Sequence, residues 1–174
     1  MKKYLLLFVM AILPAMMSAQ VFYNGKKLGT SRITGSKVGN VVGAYFTVGL
    51  SPANSSKIIE GASAETIIKE SKPTFVIKFD ENSKDSVFQN RNKIAGIVLL
   101  KLHPKGKIRK LFTGKYGLVA GVQTKVAEKD VVPISVDDSA DDIIIKPKVS
   151  LEKGEYAFYS IDTVQTKIYD FSVE

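Results

Sequence analysis

The chain has 174 residues, with 25 basic and 17 acidic side chains, one histidine, and neither cysteine nor tryptophan. That length suits one domain around a single core. The lack of cysteine excludes a disulfide framework, a lipid-modified N-terminal cysteine, thiolate metal sites and a cysteine nucleophile, and the basic excess, +8 over the whole sequence and +6 without Lys2 and Lys3, is uneven along the chain, as a surface field would make it.

Residues 1–19 are expected to stand apart from the folded domain. Met1-Lys2-Lys3 is a basic start, Tyr4 to Leu13 an apolar run and Pro14 to Ala19 a small-residue exit. This is the layout of a secretory signal peptide cut near Ala19–Gln20. The apolar run falls short of the roughly 20 residues that cross a bilayer, so the mature form is expected to have no transmembrane span. Export places the protein in the periplasm, at the cell surface or outside the cell. Residues 20–174 are then one domain.

Val21-Phe22-Tyr23 reads as a first strand turning at Asn24-Gly25, a strong hairpin dipeptide. Leu28 to Asn40, rich in Gly, Ser and Lys, reads as loop with one edge strand. Val41 to Val48 is β-branched and aromatic and predicts a strand, weakened or bulged at Gly43. Leu50 to Lys57 is turn chemistry. Ile58 to Glu70 is ambiguous; its surroundings favour a strand over Glu65–Lys69. Behind Pro73, Thr74 to Phe79 alternates cleanly, with Phe75, Ile77 and Phe79 on one face. Asp80 to Lys93 is a polar connection.

Ile94 to Leu102 is an apolar run consistent with a central strand covered on both faces. Pro104-Lys105-Gly106 predicts a tight turn, from which Lys107 to Thr113 returns antiparallel. Tyr116 to Val126 adds strand formers between glycines. Val131 to Val136 and Asp142 to Val149 are strands interrupted by Pro133 and Pro147, as at edges or bulges, with the turn Asp137 to Asp141 between them.

The last stretch, Leu151 to Glu174, gives the clearest signal. Tyr156 and Phe158 share a face opposite Ala157 and Tyr159; Tyr169, Phe171 and Val173 share a face opposite Ile168, Asp170 and Ser172. Period-two alternation puts successive side chains on opposite sides of a pleated strand. The spacing Leu151–Gly154–Tyr156 matches a tyrosine corner, in which the hydroxyl bonds back to nearby backbone. About ten short strands with regular turn signals predict an all-β fold: an antiparallel β-sandwich of Greek-key, immunoglobulin-like type.

The order VLLKL, KGKIRKLFTGK, DVVPISV, DDIIIKPKVSLEKGEYAFY, IYDFSVE resembles a group of uncharacterised secreted bacterial β-proteins with a Leu-x-x-Gly-Glu-Tyr-Ala-Phe segment and an Asp-Phe-Gly-Val-like ending. The likeness runs from about Thr74 to Glu174, with Ser172 where that ending has Gly. It implies export and a β fold and lends no catalytic residues.

The chemistry left to the side chains is narrow. His103 is the one histidine, beside Pro104, with no Gly-x-Ser-x-Gly elbow to serve; it reads as an exposed turn residue. No metal or cofactor is expected: Asp137, Asp138, Asp141 and Asp142 lack the spacing of a calcium loop, and one His without Cys is a poor start for zinc. Between Ser86 and Ala127 there are nine basic residues and no acid. Within that stretch Lys101, Lys105, Lys107, Arg109 and Lys110 are the candidate ligand-binding residues, suited to anionic polysaccharide, lipid head groups or another envelope component. Nucleic acid is disfavoured by the thin supply of aromatics. The expectation is therefore a non-enzymatic exported module. The alternatives are a small hydrolase using carboxylates or a Ser/Lys pair, and an assembly subunit that exchanges strands.

Overall fold

The computed structural model describes residues 18–39, 53–80, 96–117, 121–123, 126–138, 142–160 and 165–174. The basic and apolar parts of the expected signal peptide, the strand expected over Val41 to Val48, most of the connection from Asp80 to Lys93 and the centre of the turn from Asp137 to Asp141 lie outside the described residues. No helix among the described residues is long and apolar enough to cross a membrane.

Five strands make one antiparallel sheet: β1 (Ser18–Tyr23), β2 (Lys26–Lys27), β6 (Phe75–Asp80), β11 (Ile134–Asp137) and β12 (Ile143–Pro147), in the order β11-β12-β6-β1-β2. Between β1 and β2, Asn24 and Gly25 have φ of 48° and 75°. Two positive values in a two-residue loop match the twist of the flanking strands, which is why Asn-Gly is placed there. Ala19, at the expected cleavage point, is already in β1 and opposite Phe79.

The other strands roll up. β7 (Ile97–Lys105), β13 (Gly154–Ser160), β14 (Lys167–Val173), β3 (Thr30–Val38), β4 (Ala53–Glu60) and β8 (Ile108–Gly117) pair antiparallel in that order, and β8 pairs back onto β7. The ring is a closed six-stranded barrel. The short β10 (Val131–Val132) lies on β7 and β9 (Gly121–Gln123) on β8, while β5 (Ile67–Ile68) runs parallel to β14.

The barrel strands facing the sheet bury apolar residues on both sides for two separate reasons. Tyr156 and Phe158 of β13, Tyr169, Phe171 and Val173 of β14, and Ile97 and Leu99 of β7 point outward onto Ala19, Val21, Phe75, Ile77, Ile143 and Ile145 of the sheet. Phe75 is the centre of that layer, its ring 4.9 Å from both Phe158 and Phe171. The alternate residues, Leu100, Leu102, Ala157, Tyr159 and Ile168, fill the barrel with Ile59 and Leu111. The chain passes from barrel to sheet at Pro133, between β10 and β11, where a residue without an N–H interrupts the ladder.

The all-β, antiparallel expectation holds. The architecture is a barrel with a sheet stacked on its wall, where the sequence predicts a two-sheet sandwich. The difference arises in segments that read as irregular. Thr30–Val38, expected as loop or edge, is an internal strand between β14 and β4, with a register shift between Ile33 and Gly35. Ala53 to Lys57, expected as turn, belongs to the strand β4 beside it. Both need few apolar residues because only one face lines a narrow interior already filled from β7, β13 and β14.

Candidate functional site

The β7–β8 hairpin carries the candidate residues, and barrel curvature separates them. Lys105 pairs with Ile108, so the two-residue turn is Gly106-Lys107, with Gly106 at φ +64°. Pro104 lies in the strand opposite Arg109. This shifts the expected turn by one residue. Lys105 and Lys107 are exposed and Lys110 half-buried. Lys110 sits directly opposite His103.

Lys101 is already occupied. Its Nζ donates to Glu152 Oε2 at 2.8 Å. That hydrogen bond raises the Lys101 ammonium above the ordinary lysine range and holds the Glu152 carboxyl below its own. Both groups are solvated, so the pair orients Lys101 more than it stabilises the fold.

His103 corrects its sequence reading, since it is neither at the turn nor free. Its Nε2 lies 2.9 Å from Oδ1 of Asp130, whose side chain is 4 % exposed. Asp130 ends a 3-10 turn, Glu128–Asp130, and leads straight into β10. The Phe112 ring stands 5.0 Å from the imidazole, with Lys129 Nζ 5.9 Å above the same ring. The contact sets the 3-10 turn against the barrel wall without the alignment of a hydrogen bond.

Arg109 is the larger correction. It is fully buried inside the barrel and cannot meet an external anion. Strand alternation forces this: Arg109 and Leu111 face in, whereas Lys110 and Phe112 face out. Five oxygens surround its guanidinium, four of them in hydrogen bonds. Nε donates to Gly61 O at 3.1 Å, and Nη2 to Ser31 Oγ at 2.8 Å and Glu60 O at 2.9 Å. Nη1 donates to Glu155 Oε2 at 3.1 Å and lies 2.6 Å from Asp170 Oδ2. The last is an ion contact without the alignment of a hydrogen bond, and Asp170 Oδ2 has no other partner.

Glu155 is surrounded by donors. Besides Arg109, Ala64 N donates to its Oε2 at 2.8 Å and Ser172 Oγ to its Oε1 at 2.6 Å. Asp170 is worse provided for. Burial pushes its carboxyl above the ordinary aspartate range and the Glu155 charge pushes the same way; Ser31 and Arg109 offset only part of this.

The cluster closes one end of the barrel. Gly61 to Ala64 leaves β4 and crosses to β5, held by Arg109 at Gly61 and Glu60 and by Glu155 at Ala64. Gly61 has φ +87°, and a side chain there would put Cβ 3.3 Å from Ser63 O. Beyond it, Ser172 N donates to Thr66 O and Glu174 N to Ile68 O, which seat β5 against β14.

Of the residues singled out in the C-terminal stretch, Tyr156 donates its hydroxyl to Glu152 O at 2.9 Å, the bond a tyrosine corner makes. Leu151 is buried and its N–H donates to Ser71 O at 2.7 Å. Gly154 opens β13 opposite Val173. Glu155, Asp170, Ser31 and Ser172 were not among the sequence candidates. The one signal for them is that Asp170 and Ser172 share a strand face with Ile168, and Glu155 with Ala157 and Tyr159.

Among the described residues no group of three or more His, Cys, Asp or Glu side chains is placed to hold a metal ion. No protein-family model, curated protein or solved structure matches the chain.

Proposed function

We propose that this protein is an exported, non-enzymatic interaction module that binds an anionic polysaccharide of the cell envelope through the outer face and tip of the β7–β8 hairpin. One observation carries the reading. Among the described residues, Lys105, Lys107 and Lys110 have no carboxylate within ion-pair distance, whereas Lys78, Lys101 and His103 each have one and Arg109 has two. Three unmatched cations on one hairpin, in a stretch without acids, form a positive field that a polyanion can neutralise. The binding residues are Lys105, Lys107 and Lys110; Lys101 contributes at the margin and Arg109 holds the hairpin to the barrel from within.

The signal-peptide layout supports export, and the likeness to secreted bacterial β-proteins agrees with it. Packing of the Phe75 ring edge-on to Phe158 and tilted against Phe171 supports describing the five-stranded sheet and the barrel wall as a local sandwich. The test is chromatography of the mature domain on immobilised heparin. Retention at low salt with elution at moderate salt is expected, since such contacts are screened over about 10 Å at 0.1 M. Passage through the column at low salt would end the proposal.

A further inference from the structure

Inside the barrel, two carboxylates face one guanidinium. Arg109 contributes one positive charge, Glu155 and Asp170 two negative ones, and all three side chains are at most 9 % exposed. The remaining groups turned toward Asp170 among the described residues are the Ser31 hydroxyl from β3 and, around Glu155, the Ser172 hydroxyl of β14. The connection over this end offers only backbone: two carbonyls to Arg109 and one N–H to Glu155. Among the described residues no second cation balances the site. An uncompensated charge in a closed interior is costly enough that the group neutralises instead.

We propose that the end of the barrel is a proton-binding site, in which the Glu155–Asp170 pair holds a single proton, carried on the Asp170 carboxyl at neutral pH. The division between the two acids follows from their donors. Three converge on Glu155, one of them the guanidinium, which completes the solvation of an anion. Asp170 has the Ser31 hydroxyl and, at Oδ2, only a misaligned contact. With the proton in place the cluster is neutral, and Arg109 is shared between Glu155 and the carbonyls of Glu60 and Gly61. When the proton leaves for solvent, the Asp170 carboxylate competes for the same guanidinium. The contacts that fasten Gly61 to Ala64 over the barrel end are the ones weakened.

The sign follows from linkage. Burial raises the Asp170 carboxyl, so the folded protein binds a proton that the unfolded chain has already released above about pH 4. The associated stability is complete below the ordinary aspartate range. It is lost as pH rises through the folded value.

The experiment is chemical denaturation of the full chain and of Asp170→Asn from about pH 5 to about pH 9. The ratio of the parent's unfolding constant to that of the variant should rise with pH, by at most about tenfold per unit for one proton, and then level off. A ratio independent of pH overturns the proposal. Infrared spectroscopy of the parent alone decides the matter where the variant does not fold. A protonated-carboxyl stretch should be present at neutral pH and vanish on alkalinisation, and its absence at neutral pH overturns the proposal. The hydrogen exchange of Ala64 N–H gives the local readout: protection that falls with pH in the parent is expected, and protection unchanged across the range counts against the weakened fastening.

Discussion

Arg109 and Asp170 meet at 2.6 Å although their strands stand opposite one another in the ring, separated by β7 and β13 on one side and by β3 and β4 on the other. A six-stranded barrel is narrow enough for one long side chain to cross it. The crossing gives the molecule a strut between walls that share no ladder. It also fixes the closing segment from Glu60 to Ala64, so a single residue links two strands and a cap.

Replacing Arg109 by Met should destabilise the fold by about 3–5 kcal/mol, because it leaves the Glu155 carboxylate buried without its cation. Arg109→Lys should recover little of this, since an ammonium has three donors and no fork to match five oxygens. Urea denaturation measures both. A loss below about 1 kcal/mol for Met would mean that the cluster is wet or relaxed rather than sealed.

Gly61→Ala tests the closing segment from the backbone side. The left-handed conformation there costs an alanine about 1–2 kcal/mol, and its Cβ would press on Ser63 O. Because Gly61 O also accepts from Arg109 Nε, exchange of the Ala64 amide should quicken more than exchange across β13. Equal changes in both would show that the segment is not held separately.

Tyr156→Phe removes the hydroxyl that bonds to Glu152 O, for an expected loss of about 1 kcal/mol. Tyr156→Ala should cost about 3–5 kcal/mol, since the ring stacks 5.6 Å from Phe171 in the layer between sheet and barrel. Thermal denaturation separates the two. If Phe is as damaging as Ala, the hydroxyl rather than the ring dominates.

Changing Lys105, Lys107 and Lys110 together to Gln should lower the salt needed for elution from heparin, with little effect on stability because all three are solvated or half-solvated. Lys101→Gln should shift elution less, since its ammonium is bound to Glu152. A larger shift from Lys101 than from the other three would move the binding face toward Glu152.

Much of the strand pattern is written in the chain, and the ring is not. The alternation in 154–160 and 167–173 gives both faces of β13 and β14, and Phe75 and Ile77 mark β6 equally well. Alternation cannot say that a face turns into a closed cylinder rather than toward a second sheet, because that depends on which distant strand supplies the final pairing. Here the missing strand was Thr30–Val38, whose Ser, Gly and Lys content has the look of a loop. Arg109 was hidden by its neighbours: in Lys107-Ile-Arg-Lys110 it reads as one more surface cation. Its partners lie 46 and 61 positions further along. Only pairing Pro104 with Arg109, and β13 with β14, brings them together.

The rungs around the ring are unequal. β4 and β8 are matched over eight residue pairs, β7 and β8 over only three beside the turn. Past His103 and Lys110 those two part company, β7 taking β10 as its neighbour and β8 taking β9. A rolled sheet fastened this briefly would unzip at that seam first. The Arg109 side chain, anchored in β8 and gripping β13 and β14, passes over β7 and acts as a rivet across it.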